Sequence, residues 1–268
     1  MTVAENLQEL IDAKADIKSA IESKGVEVTG GLTTYADAIR EIEGGSGDVE
    51  GKFENGTRFT SSGTIKHIPL FDTSHWTTMN SMFEYCGNLL AIPLYDTSNV
   101  TNMERMFYGC KMLRTIPSLD FSNASVGNLF YDCWNIRELP DINCAKASNM
   151  SGMLYRLESV HTIGKIYCDA LTSASSIMTI SYPLKCLINF GGFHNLGMPK
   201  SLSSTSVNGF MTCMPNLSRE SLLNVLNELY DRKTAGYSVL TLKMHENHFA
   251  KLSDADIAIA TNKGWTLS

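Results

Sequence analysis

Residues 68–91, IPLFDTSHWTTMNSMFEYCGNLLA, and residues 92–115, IPLYDTSNVTNMERMFYGCKMLRT, are two copies of one unit. A third copy, IPSLDFSNASVGNLFYDCWNIRE, fills 116–138, and a fainter one begins at Leu139-Pro140. The marks recur at a period of 24, then 23: Phe83, Phe107 and Phe130, then Cys86, Cys110 and Cys133. A fixed period of roughly 20–50 residues implies a solenoid, in which each unit buries its apolar face by stacking on its neighbours. The expected class is α/β, with short strands and helical turns. Strands are expected near Leu89–Leu94 and Val100–Met103, a turn at Asp96-Thr97-Ser98, and a short helical turn at Glu104–Gly109. Prolines 69, 93, 117 and 140 belong where no ladder bond is donated. A hairpin is expected around Asn55-Gly56.

Working outward, four segments follow: a helical anchor over 1–43, a flexible linker over 44–51 (GGSGDVEG), the solenoid over 52–215 and a capping segment over 216–268. In the first, Val3, Leu7, Leu10, Lys14, Ile17 and Ile21 are spaced 4, 3, 4, 3, 4, a heptad seam with a lysine at one core position. Ile11, Ala13 and Ala20 widen that face, which fits three strands of a coiled coil or a second helix of the same chain. Thr34, Tyr35, Ala38, Ile39 and Ile42 offer such a helix, so an oligomerising stalk, a trimer by preference, stands beside an intrachain hairpin. In the last segment Ser218 caps a helix burying Leu222, Leu223, Val225, Leu226 and Leu229. A strand in YSVLTLKM and a helix opened by Ser253-Asp254-Ala255-Asp256 and closed by Gly264 complete the cover.

Composition narrows the function. Hydrophobic content of 43% with 19% charged residues is that of a folded globular chain, and a net charge of −6 opposes a nucleic-acid or anionic-membrane surface. No apolar run is long enough to insert in a membrane, and the acidic start does not read as a secretory signal. Seven cysteines, three at one repeat position, read as reduced core thiols filling a ladder. Asp72, Asp96 and Asp120 form a second column; each precedes a turn where its side chain bonds backbone N–H groups two residues on, which favours turn capping over a calcium ladder. His245 and His248, in HENH, lack zinc-protease spacing in a segment that reads as strand, and no metal or cofactor is expected. No nucleophile context or phosphate loop is present, so the chain reads as a non-enzyme. Tyr85, Tyr108, Tyr131 and Tyr155, with Phe71 and Tyr95 before the turn aspartates, are the candidate ligand-facing aromatics, set against the plainer role of packing between coils.

Residues 96–117, DTSNVTNMERMFYGCKMLRTIP, resemble the bacterial-surface-antigen type of leucine-rich repeat, and the likeness extends over roughly 64–165. NLQELIDAKADIKSAIESKGVEV resembles the opening of tail and fibre-associated proteins of phages infecting gut Bacteroidales. SRESLLNVLNELYDR with LSDADIAIATNKGWTLS resembles the end of leucine-rich-repeat proteins found beside them. The third repeat departs with DFSNASVGNLF, and the fourth places Asn143 where the pattern has Asp. The resemblance implies a leucine-rich-repeat solenoid on a phage virion, at the tail fibre or capsid surface. Its partners would be other virion proteins and a host-surface glycan or protein. A purely structural virion adaptor and a bacterial cell-surface adhesin are the alternatives.

Overall fold

The computed structural model describes residues 53–147, 150–169, 184–196 and 211–268. The chain divides into units Met1–Asp48 and Val49–Ser268, and every described residue belongs to the second. The expected anchor residues Val3, Leu7, Leu10, Lys14, Ile17 and Ile21, and the linker over 44–51, lie outside the described residues.

Successive repeats stack through their backbones in an alternating scheme. Met79, Ser81, Phe83 and Tyr85 donate N–H to the carbonyls of Asn102, Glu104, Met106 and Tyr108 in the next repeat, at 2.6–2.9 Å. Between them, Met82, Glu84 and Cys86 donate back to Met79, Ser81 and Phe83. The scheme repeats one unit on, where Met103, Arg105, Phe107 and Gly109 donate to Ser125, Gly127, Leu129 and Tyr131. Half the donors serve the neighbouring repeat and half close a local turn. That corrects the expected helical turn at Glu104–Gly109: an α-helix needs every N–H to point back along its own chain. Alternate donors can point outward only if some residues turn left-handed, and Ser81, Tyr85, Arg105, Gly109, Asn128 and Asp132 all have φ between 54° and 72°.

The strands expected at Leu89–Leu94 and Val100–Met103 shrink to isolated contacts. Leu90 donates to Lys66 and Arg114 to Leu90, each at 3.0 Å, and Thr78, Asn102 and Ser125 form single parallel bridges. Pro93 and Pro117 follow without an N–H, so the ladder stops. Named strands begin later, two residues each: β1 Glu138–Leu139, β2 Ile142–Asn143, β3 Thr162–Ile163, β4 Ile166–Tyr167, β5 Asn189–Phe190 and β6 Phe193–His194. They form two parallel sheets, β1-β3-β5 and β2-β4-β6, with Leu139, Ile163 and Phe190 in one register column and Ile142, Ile166 and Phe193 in another. The Asn55-Gly56 turn exists, closed by Thr57 N–H to Glu54 at 2.9 Å with Gly56 at φ 85°. It opens no hairpin among the described residues, because Phe59 and Ser61 spend their donors on Met82 and Glu84 of the following repeat.

The core follows from this register. Phe59, Phe83, Phe107 and Phe130 stack with ring centroids 5.6–5.7 Å apart and planes within 15° of parallel. Beside them Cys86, Cys110 and Cys133 are buried, and their Sγ atoms donate at 3.0 Å to the carbonyls of Phe59, Phe83 and Phe107. All seven cysteines are free thiols. Burial pushes the Cys86 thiol up to about 11 and that of Cys168 to about 12, so these sulfurs stay protonated and unreactive at neutral pH.

The far end is closed by α1 Arg219–Glu228, β7 Leu240–Leu242, α2 Glu246–Phe249, α3 Asp254–Asn262 and β8 Trp265–Leu267. Ser218 caps α1, which buries Leu222, Val225 and Leu226 while Leu223 stays half-exposed. α1 also satisfies the free edge of β5: Phe190 N–H donates to Ser221 Oγ at 2.8 Å, and Asn224 Nδ2 donates to the Phe190 carbonyl at 3.3 Å. An edge strand covered in this way offers no template for a second chain. β7 and β8 pair in parallel, joining Leu240 to Trp265 and Leu242 to Leu267. α3 opens on a capping box in which Ser253 Oγ accepts from Asp256 N–H and Asp256 Oδ2 accepts from Ser253 N–H. Ser253→Ala is expected to cost about 0.5–2 kcal/mol in a urea melt of the whole chain, as loss of an N-cap does. A wild-type midpoint would show that α3 is held by its packing alone.

Candidate functional site

The left-handed positions shape one flank of the repeats. Glu84, Tyr108, Tyr131 and Tyr155 share a column, since each follows the buried residue aligned with Phe83. Tyr85 stands one residue further on, in line with Gly109, Asp132 and Arg156, and leans over Gly109. A Cβ at position 109 would lie 2.7 Å from Tyr85 Cδ1, and Gly109 has φ 72°, so glycine both permits the turn and leaves room for the ring. The result is a continuous aromatic row. Tyr85 meets Tyr108 edge-on at 5.2 Å, Tyr108 stacks on Tyr131 at 4.6 Å and 5°, and Tyr131 stacks on Tyr155 at 4.2 Å and 16°. Tyr85 is 49% exposed and the other three are half-buried. These rings pack between repeats and still present an edge to solvent.

Charged groups frame the row. Arg105 sits 4.7 Å over the Tyr108 ring while its guanidinium holds Glu84 at 3.0 Å. Trp134 lies between Lys111 at 4.5 Å and Arg156 at 5.0 Å, and Arg156 also holds Asp132 at 3.1 Å. Desolvation, followed by its hydrogen bond to Tyr155, pushes the Tyr131 phenol up to about 12, and desolvation raises Tyr108 as well. The hydroxyls therefore remain protonated donors at neutral pH. Rigid rings with polar tips and guarded cations suit contact with a sugar or a protein surface.

One candidate, Tyr95, is corrected. Tyr95 is 2% exposed, its hydroxyl donates to the Pro69 carbonyl at 2.9 Å, and its ring lies 4.8 Å from Phe71. Phe71 in turn packs 4.6 Å from Phe53 and 5.4 Å from Trp76. The Tyr95 ring therefore faces inward and meets no ligand, while Phe71 packs against the core and stays half-buried. The outward residue is the one before each: Leu70 is 56% exposed and Leu94 62%. Ser118 at the same place in the third repeat was the available signal that this position faces water.

Asp72, Asp96 and Asp120 each accept the N–H two residues on, from Ser74, Ser98 and Ser122, at 2.8–3.0 Å. Hydrogen bonds from Ser74 and Ser98 hold the Asp72 and Asp96 carboxyls below their ordinary value. Thr73 and Thr97 extend the same turn to the next repeat, donating to the carbonyls of Asp96 and Asp120 at 2.8 Å. The HENH segment proves helical rather than extended, as α2, and there His248 turns inward and its Nε2–H donates to the Met214 carbonyl at 2.8 Å. Burial lowers the His248 pKa and keeps the ring neutral. Among the described residues no group of three His, Cys, Asp or Glu side chains is placed to hold a metal, and no helix is long and apolar enough to cross a membrane.

A second polar cluster, unforeseen from the sequence, joins the repeats to the cap. Glu228 on α1 receives Lys165 Nζ at 2.6 Å and faces His194 Nδ1 at 2.7 Å. Burial raises the Glu228 carboxyl, but the hydrogen bonds from Lys165 and His194 outweigh it and leave the pKa lowered. These residues lie 63 and 34 positions from Glu228, and the cluster fastens the cap to β6 and to the residue just before β4.

No curated protein and no solved structure matches the chain. Residues 48–167, which carry the whole tyrosine row, match the model of the family described as Mycoplasma protein of unknown function, DUF285.

Proposed function

We propose that this chain is a surface-recognition protein without catalytic activity, a leucine-rich-repeat-type solenoid that presents its repeat face to a glycan or protein on a host cell. In this reading it sits on a phage virion surface or tail fibre, and residues 1–43 form a trimerising anchor that makes binding multivalent. The observation that carries the reading is the row Tyr85, Tyr108, Tyr131 and Tyr155, a rigid aromatic surface running along stacked repeats. The resemblance of residues 6–28 to the opening of phage tail and fibre-associated proteins, and of the C-terminal stretch to leucine-rich-repeat proteins found beside them, supports that location. A second reading, a bacterial cell-surface adhesin, draws support from the match of residues 48–167 to a family described as Mycoplasma proteins. Both readings use the same face.

The test is flow cytometry of the fluorescently labelled full chain on bacterial cells, beside a Tyr108→Ser/Tyr131→Ser double variant whose folding is checked by circular dichroism. Wild-type staining with a loss on the order of 10-fold or more in the variant is expected, since loss of central aromatic anchors dominates binding energy. No cell staining, or equal staining by the folded variant, would refute the recognition role. Immunogold labelling of purified phage particles against cell envelopes separates the virion from the cellular reading.

A further inference from the structure

Arg114 and Arg137 occupy the same place in adjacent repeats, four residues after Cys110 and Cys133. The residue before each, Leu113 or Ile136, is fully buried, and the arginine itself is exposed. Stacking fixes both at the backbone: Arg114 N–H donates to the Leu90 carbonyl at 3.0 Å, and the Arg137 carbonyl accepts from His161 N–H at 2.8 Å. Their side chains line one open hollow of about 430 Å³ together with Thr115, Asn135 and Glu138. Among the described residues, neither guanidinium has an ion pair or hydrogen bond. Arg105, Arg156, Arg219 and Lys165 each hold a carboxylate. Two neighbouring cations left unpaired, in a chain of net charge −6, mark a place where negative charge is missing.

The rest of the lining narrows the missing group. A pair of guanidinium forks matches one carboxylate or sulfate through parallel N–H···O bonds. Asn135 already commits its amide nitrogen to the Lys111 carbonyl at 2.8 Å, which leaves its oxygen as an acceptor. Glu138 is also an acceptor, and Thr115 both donates and accepts. A hollow lined by two cationic forks and by hydroxyl acceptors suits a ligand that carries one anionic group and several hydroxyls. A nucleic acid presents a run of phosphates, which Glu138 and the net negative charge repel. The volume falls in the range of small-molecule sites, roughly 300–1,000 Å³.

We propose that this hollow binds an acidic sugar unit, a uronic acid or a sulfated hexose. Arg114 and Arg137 grip its carboxylate or sulfate, and Glu138 and Asn135 accept from its hydroxyls. The proposal rests on the recognition reading only for the source of the sugar; the site itself is separate from the tyrosine row.

The test is isothermal titration of the full chain with four probes: a galacturonate trisaccharide, a sulfated dextran oligomer, a neutral dextran oligomer and inorganic sulfate. At least one acidic sugar is expected to bind and the neutral oligomer not. Arg137→Gln and Arg114→Gln should each weaken that binding at least 10-fold with an unchanged melting temperature. Glu138→Gln should weaken the acidic sugar while strengthening inorganic sulfate. Binding of neither acidic sugar, indifference to both arginine changes, or inorganic sulfate bound as tightly as the sugars would overturn the proposal. The Tyr108→Ser/Tyr131→Ser variant should keep the acidic sugar, and its loss there would overturn the separate site. If that variant and the wild type stain cells equally while Arg137→Gln loses the sugar, the tyrosine reading falls and this site stands.

Discussion

Phe107→Ala is expected to remove about 3–5 kcal/mol of stability, the usual cost of deleting a fully buried aromatic ring. Phe107 is wholly inaccessible and is flanked on both sides, by Phe83 and Phe130, at 5.7 Å. Neither neighbour can collapse into the space, because each is pinned by its own repeat through alternating backbone bonds. For a body of this size the loss corresponds to a fall in melting temperature of roughly 6–20 °C. Phe107→Leu keeps most of the volume and should lose clearly less. A urea melt showing under about 1 kcal/mol for the alanine variant would mean that the repeats do not share one continuous core.

Gly191→Ala is the second large effect and works through the opposite defect. A Cβ at Gly191 would lie 2.5 Å from the backbone nitrogen of Lys165 and 2.7 Å from the carbonyl carbon of Gly164. Gly164 repeats the arrangement one unit earlier, 2.6 Å from the Asp141 nitrogen and 2.7 Å from the Pro140 carbonyl carbon. These are backbone atoms, which no rotamer change can move aside. An added methyl must push two repeats apart where Gly191 N–H reaches Ile163 and Ile166 N–H reaches Gly192, at 3.0 and 2.9 Å. Overpacking of this kind costs about 1–3 kcal/mol or more. Gly87→Ala is the control, since nothing lies within 4 Å of its added Cβ, and its effect should stay within about 0.5 kcal/mol. Equal melts for the two variants would contradict the close backbone contact between repeats.

The columns were legible because residues one period apart stack directly, so Phe83, Phe107 and Phe130 or Cys86, Cys110 and Cys133 announce themselves in the sequence. The cap was legible for a different reason: N-caps are local, and Ser218 and Ser253 act within three residues of themselves. The path between the columns was not legible. MNSMF and MERMF carry apolar residues at helical spacing, but the spacing arises from left-handed turns at Ser81 and Arg105, residues that give no glycine signal. Tyr95 is buried while Leu94, one position before it, is exposed, because in an extended segment a shift of one position reverses inside and outside. The Arg114–Arg137 pair hid because Leu90 fills the same place one repeat earlier, so no column appears. Glu228, Lys165 and His194 are too far apart in the chain for spacing to join them.

The most direct test of the proposed recognition face is hydroxyl-radical footprinting of the full chain with and without isolated host-cell envelopes. Protection confined to Tyr85, Tyr108, Tyr131, Tyr155 and their neighbour Trp134 is the expected result. Unchanged labelling of those five rings while the chain is bound would place the contact elsewhere and contradict the account.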